Sequence, residues 1–251
     1  MNEYYNNEPL VEGYYESKTN VAFAKSYLWM FLASLITLFS GFGFSYILKN
    51  YLNTSIGGVS IYLVLFIASF IIQMIMCMKI NKASLVEANF TKAFVYLIIF
   101  SLLTGFTFSN VFMFFDAEVL YQVFAGVCIY FLVLSLITYL FRKKIHKAAS
   151  FAYIGLSTLL VASLVVSLLS IFIYKESTYL SLHLSISIIG IVIFTIITMV
   201  DIKAMYKIIE NSQNKNASSI SAAFCLYLDF INIFTYILRI LLILGRNRSR
   251  N

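Results

Sequence analysis

Charge is scarce in this sequence. Only 12% of its 251 residues are Asp, Glu, Lys or Arg, against about 25% in a soluble domain, while 61% are hydrophobic. That balance leaves no room for a separate soluble domain and places the chain in a membrane. Proline occurs once, at Pro9, outside every apolar run, so no helix interior is interrupted by a ring that lacks an N–H. The three cysteines, Cys77, Cys128 and Cys225, lie inside apolar stretches without metal-type spacing. They read as small core residues rather than a redox or ligand set. No nucleophile–base set, HExxH, phosphate loop or CxxC is present, so no enzymatic chemistry and no cofactor are expected. Residues 1–21 lack the basic start of a secretory signal and are acidic and Tyr/Asn-rich instead, which predicts a retained polar tail. The net charge of +7 does not point to nucleic acid, because the basic residues sit in short connectors between apolar runs.

What the sequence has is long apolar runs. Seven pass the length needed to cross a bilayer, at 24–48, 59–79, 92–115, 119–140, 148–174, 180–206 and 220–244. About 20 residues at about 1.5 Å each span the hydrocarbon core. Stretches such as LVLFIASFIIQMIMCM do not alternate in polarity, as the strands of a membrane β-barrel would. Short connectors predict antiparallel neighbours. Lys79, Lys82, Lys92, Arg142, Lys143, Lys144, Lys147, Lys203, Lys207 and Lys215 fall in or beside the even connectors, and only Lys49 and Lys175 beside the odd ones. The positive-inside rule then puts the even connectors and the N-terminus in the cytoplasm. Arg246, Arg248 and Arg250 run against this count, and a last segment that stops short of a full crossing is the alternative. The expected organisation is a cytoplasmic tail over 1–21, a transmembrane domain over 22–244 and a basic tail over 245–251.

The last run carries Asp229, Asn232, Tyr236 and Arg239 at steps of three, four and three, which places all four on one helical face. A carboxylate facing lipid costs at least a few kcal/mol. A polar seam is most cheaply kept inside a bundle, so this run is expected to be a central helix surrounded by the other six. Of eleven acidic residues, only Asp201 and Asp229 fall within apolar runs. They lie on consecutive antiparallel helices at similar depth on the cytoplasmic side, so the carboxyls can meet. Two such groups in a low dielectric share one proton, and its loss leaves like charges that repel. The same oxygens could make transient contact with a hard cation such as Ca²⁺. The competing reading is structural, with each acid neutralised by a base on another helix. Lys203 follows Asp201 by two residues and faces elsewhere, and Arg239 is about 15 Å along the helix from Asp229. Arg239 either lines the outer half of a pathway or extends to the interface.

Weaker candidates remain. His183, at the outer end of the sixth run, reads as incidental rather than a pH sensor. Gln73 predicts an interhelical hydrogen bond, and Thr104, Gly105, Thr107 and Ser109 suit close helix packing more than pore lining. The Tyr4–Tyr5 and Tyr14–Tyr15 pairs fit a disordered tail as well as a partner site.

Three patches resemble the transmembrane Bax inhibitor motif family. Phe23, Lys25, Tyr27, Met30 and Thr37 resemble its opening helix, and TGFTFS, Thr104 to Ser109, resembles its third-helix patch. LYLDFINIFTYILRIL, Leu226 to Leu241, is similar to its C-terminal signature. The resemblance spans residues 22–244. It implies an all-α membrane protein of seven helices, six around a central C-terminal one. It also implies a pH-sensitive calcium leak, with Asp201 and Asp229 as sensor and gate. Asn232, Tyr236, Arg239, Thr104 and Thr107 are the supporting or pathway polar residues. The partners expected are the lipid bilayer, calcium and protons. Eukaryotic relatives suppress cell death and lower calcium stores, and some bacterial ones modulate membrane proteolysis. A non-conducting regulator of a membrane protease or of stress signalling is therefore the alternative. An arginine cluster after the second helix, which locks the aspartates in some bacterial relatives, is replaced here by lysines in MKINKASLVEANFTK. An acidic residue in the second span of some relatives is also missing, with Gln73 nearby. The Asn/Lys/Ile-rich wording suits a bacterial plasma membrane, with an internal eukaryotic membrane as the other setting.

Overall fold

The computed structural model describes residues 8–52, 56–140, 155–158, 161 and 176–248. They form six long α-helices. These are α1 (Glu8–Leu52), α2 (Ile56–Asn81), α3 (Phe90–Phe112), α4 (Ala117–Leu140), α5 (Glu176–Asn211) and α6 (Lys215–Arg248), with a π-helical turn, Lys82–Val86, after α2. All six helices are long and apolar enough to cross a membrane, and no strand occurs among the described residues. The fifth expected run, 148–174, lies almost entirely outside the described residues.

The apolar runs locate the spans, but the helices continue past them. α1 begins at Glu8, well before its apolar run. The polar residues just ahead of that run are held by hydrogen bonds. Lys215 Nζ donates to the Thr19 hydroxyl (2.7 Å), Tyr206 donates to Asn20 Oδ1 (2.9 Å) and Lys25 Nζ to Asn216 Oδ1 (3.1 Å). These polar partners let the helix extend where apolar burial no longer supports it. Beside these contacts the expected sixth connector shrinks to Ser212, Gln213 and Asn214, because Lys203 and Lys207 lie on α5 and Lys215 opens α6.

The chain divides into two compact units, Met1–Ala117 with Ala204–Tyr227, and Glu118–Lys203 with Leu228–Asn251. In the first, α1 and α3 approach closely at glycine. A Cβ on Gly105 would strike the Ser40 hydroxyl and lie 2.7 Å from the Thr37 carbonyl, and one on Gly41 would lie 2.6 Å from the Phe112 ring. Small residues bring transmembrane backbones together in this way. The start of α6 is packed on every side. All side chains from Ala217 to Phe224 are buried. Ala22, Ile209 and Ala222 close a small core there, with Phe23 and Met205 against it. By contrast α2 is the least buried of the six helices. Only 6% of its span is buried, against 28–33% for the other five.

The second unit packs on aromatic rings. Phe230 of α6 meets Phe124 and Phe131 of α4 at centroid separations of 5.4 and 5.5 Å. The Tyr130 hydroxyl of α4 is hydrogen-bonded to the Thr195 hydroxyl of α5. Cys77, Cys128 and Cys225 are half-buried and form no disulfide among the described residues.

Candidate functional site

Asp229 faces away from lipid. It is 4% exposed, on the buried stripe of α6 that includes Phe230, Ile233 and Phe234. The residue opposite is Thr198 of α5, whose hydroxyl is hydrogen-bonded to the carboxyl. Thr198 itself donates to the Phe194 carbonyl at 2.7 Å. A hydroxyl has one proton and two lone pairs. Thr198 therefore links the backbone of its own helix to the Asp229 carboxyl on the next one. The second carboxyl oxygen, Oδ2, is buried without a hydrogen-bond partner among the described residues.

Asp201 is half-buried, three residues after Thr198 and hence on the same face of α5. It lies close enough to Asp229 for their charges to interact. Asp201 is ten residues before the end of α5, and Asp229 is fourteen residues after the start of α6. The connector of three residues between them makes the helices antiparallel, which brings the two carboxyls to neighbouring levels.

The other polar residues of the α6 seam lie further along the same unit. Asn232 is half-buried, one turn beyond Asp229. Tyr236 packs edgewise on α5. Its ring would lie 2.7 Å from a Cβ on Gly190, and it sits 5.8 Å from the Phe194 ring. The Arg239 guanidinium lies over that tyrosine, 5.7 Å from the ring centroid, and within electrostatic reach of His183.

Thr104 and Thr107 belong to the first unit. Thr107 donates to the Thr104 carbonyl at 2.7 Å. Thr104 is buried, donates to the Phe100 carbonyl at 2.8 Å and lies 3.3 Å from Gln73 Oε1. Gln73 thus makes the interhelical bond that a lone polar side chain in a span calls for. The same layer contains a residue that sequence reasoning passed over, Tyr227. It is fully buried, and its hydroxyl sits 2.6 Å from that of Thr37. Ser101 and Thr104 are also hydrogen-bonding neighbours of that hydroxyl. Thr198 was missed too, although its spacing of three from Asp201 put it on the aspartate face.

No group of three or more His, Cys, Asp or Glu side chains that could hold a metal occurs among the described residues. Two carboxyls offer at most four oxygens, and a resident Ca²⁺ takes six to eight ligands.

The family model described as inhibitor of apoptosis-promoting Bax1 matches residues 19–248. An uncharacterised protein of Borreliella burgdorferi is 32% identical over 188 residues, covering 73% of this chain and 76% of its own length. The inner membrane protein YbhL of Escherichia coli K12 is 28% identical over 147 residues, 57% of this chain and 59% of that one. A protein of Deinococcus radiodurans is 26% identical over 221 residues, 86% and 88% of the two chains.

Proposed function

The chain belongs to the Bax inhibitor family of membrane proteins, and from that premise we propose that it is a pH-sensitive cation leak, with calcium as the permeant ion and Asp201 and Asp229 as sensor and gate. The observation that carries the reading is the placement of Asp229, buried beside a second carboxyl with the Thr198 hydroxyl bonded to it. An ionisable group at that depth is seldom neutral to function. One shared proton holds α5 to α6, and its removal sets two like charges against each other. The link therefore loosens as pH rises through the titration of the pair, and tightens when the proton returns.

In this reading 22–244 acts as one membrane domain, flanked by the polar tail 1–21 and the basic tail 245–251. The positive-inside count supports a cytoplasmic N-terminus and a cytoplasmic aspartate pair. The bacterial relatives, one of them an inner membrane protein, support a bacterial plasma membrane. No chemistry and no resident cofactor are assigned. Asn232, Tyr236 and Arg239 continue the polar seam towards the outer side, while Thr104 and Thr107 support helix packing.

The test is calcium flux into proteoliposomes of the pure protein as a function of pH. Wild-type protein is expected to give a pH-dependent leak, and Asp201→Asn with Asp229→Asn to flatten the profile without abolishing insertion. An unchanged profile in the double variant removes the aspartates as sensor. Absence of flux at every pH, from protein that is folded, removes the leak and leaves the non-conducting regulator of a membrane partner.

A further inference from the structure

A guanidinium on an apolar span is costly unless an anion answers it. Arg239 has no acidic partner among the side chains that the structure describes. Of the acids of its unit within that set, Glu118 is bonded by Gln122, and Asp201 is within reach of Asp229. Asp229 lies about 15 Å down the helix from Arg239. The groups that do surround Arg239 are donors. The Tyr236 ring lies beneath it, held against Gly190, and the His183 imidazole of α5 is within electrostatic reach. All three side chains are half-buried, so the cluster is open on one side. Leu182, next to His183, and Leu241 and Leu244, just after Arg239, are 36%, 37% and 48% exposed. A set of hydrogen-bond donors rimmed by exposed apolar side chains sits six residues before Gly245, the end of the apolar span, about 9 Å along the helix.

We propose that Arg239, His183 and Tyr236 form a site for the phosphate of an anionic phospholipid. The planar fork of the guanidinium matches two phosphate oxygens. The imidazole N–H and the phenol O–H supply further donors. The exposed leucines point to a lipid as the source of the phosphate, since their partners are acyl chains and not water. This assignment goes beyond the leak and does not depend on it.

Purified full-length protein in detergent is titrated with phosphatidylglycerol, with phosphatidylcholine and with inorganic phosphate. Thermal unfolding reports stabilisation, and native mass spectrometry reports retained lipid. Phosphatidylglycerol is expected to raise the unfolding temperature and to stay bound, while the other two leave the protein unchanged. Arg239→Gln is expected to weaken the half-saturating phosphatidylglycerol by about tenfold, the loss of one charge-assisted hydrogen bond, and Arg239→Lys by less. His183→Asn gives a second arm on α5, with about a threefold weakening. The proposal is overturned if both variants bind phosphatidylglycerol as the parent does. Stabilisation by inorganic phosphate equal to that by phosphatidylglycerol overturns the lipid source. An equal effect of phosphatidylcholine reduces the site to ordinary annular contact and overturns it as well.

Discussion

The Tyr227 hydroxyl donates to the Thr37 hydroxyl across 2.6 Å in the first unit. The direction follows because Thr37 has its own proton committed to the carbonyls of Ala33 and Ser101, at 3.0 and 3.1 Å. α6 is thus tied to α1 by a bond that no water can replace, since Tyr227 is fully buried. Removing the phenol oxygen in Tyr227→Phe keeps the ring in place between Phe100 and its neighbours. The expected cost is about 0.6 to 1.7 kcal/mol, the range for interhelical hydrogen bonds in membranes. Thermal unfolding in detergent checks it, and an unfolding temperature equal to wild type would discard the bond as a stabilising contact.

Two glycines make a controlled pair. A Cβ at Gly105 would meet the Ser40 hydroxyl and the Thr37 carbonyl, and the carbonyl cannot step aside without moving α1. Gly105→Ala is expected to destabilise by about 1 to 3 kcal/mol, as overpacking does. Gly43 is exposed on the same α1 helix, and a methyl group added there would have nothing within 4 Å. Gly43→Ala is expected to be neutral or to stabilise by up to about 1 kcal/mol through helix propensity. Equal effects of the two substitutions would mean that the α1–α3 approach is not close in solution.

Ala88 holds a positive φ of 50° just after the π-helical turn. Its carbonyl accepts from Asn214 Nδ2 at 2.9 Å, while Asn214 Oδ1 accepts from the Ala217 N–H at 3.1 Å and so caps α6. Left-handed backbone costs an L-residue about 1 to 2 kcal/mol, a penalty glycine escapes. Ala88→Gly is expected to raise stability by up to about 1 kcal/mol, after the extra entropy glycine loses on folding. Asn214→Ala is expected to lower it by about 1 kcal/mol, the value of a helix cap. Opposite signs in the two melting curves are the outcome to look for, and a matching sign would refute the account.

The aspartate pair predicts a pH-dependent local opening. Hydrogen exchange at the amides around Thr198–Asp201 and Asp229 is expected to quicken as pH rises, beyond the intrinsic base catalysis seen in unstructured peptide. In Asp201→Asn with Asp229→Asn that excess should vanish, because neither position can then lose a proton. An excess that persists in the double variant would place the pH response elsewhere.

The spans could be read from the sequence because hydrocarbon thickness demands length and lack of charge, and nothing in the runs disputes it. Asp201 and Asp229 stood out for the converse reason, as the only acids among apolar neighbours. The ends of the helices could not be read. The stretch of α1 around Thr19, Asn20 and Lys25 is held by Lys215, Tyr206 and Asn216 from far along the chain. No local pattern records such partners. Tyr227 was equally silent, because a tyrosine among apolar residues looks like another ring until the hydroxyls facing it are known. Thr198 was more accessible, three residues from Asp201, but a threonine on a helix more often bonds its own backbone. Here it does that and also meets Asp229.

The three-residue link between α5 and α6 bears on how the protein is made. Helices joined so tightly leave the ribosome as a hairpin, and each presents its carboxyl to the other before either meets acyl chains. The penalty for bringing acids into a bilayer is thereby met once, jointly, during biogenesis. Lengthening that link would make the helices insert one after the other and cut the yield of inserted protein, even with every contact of the finished bundle intact.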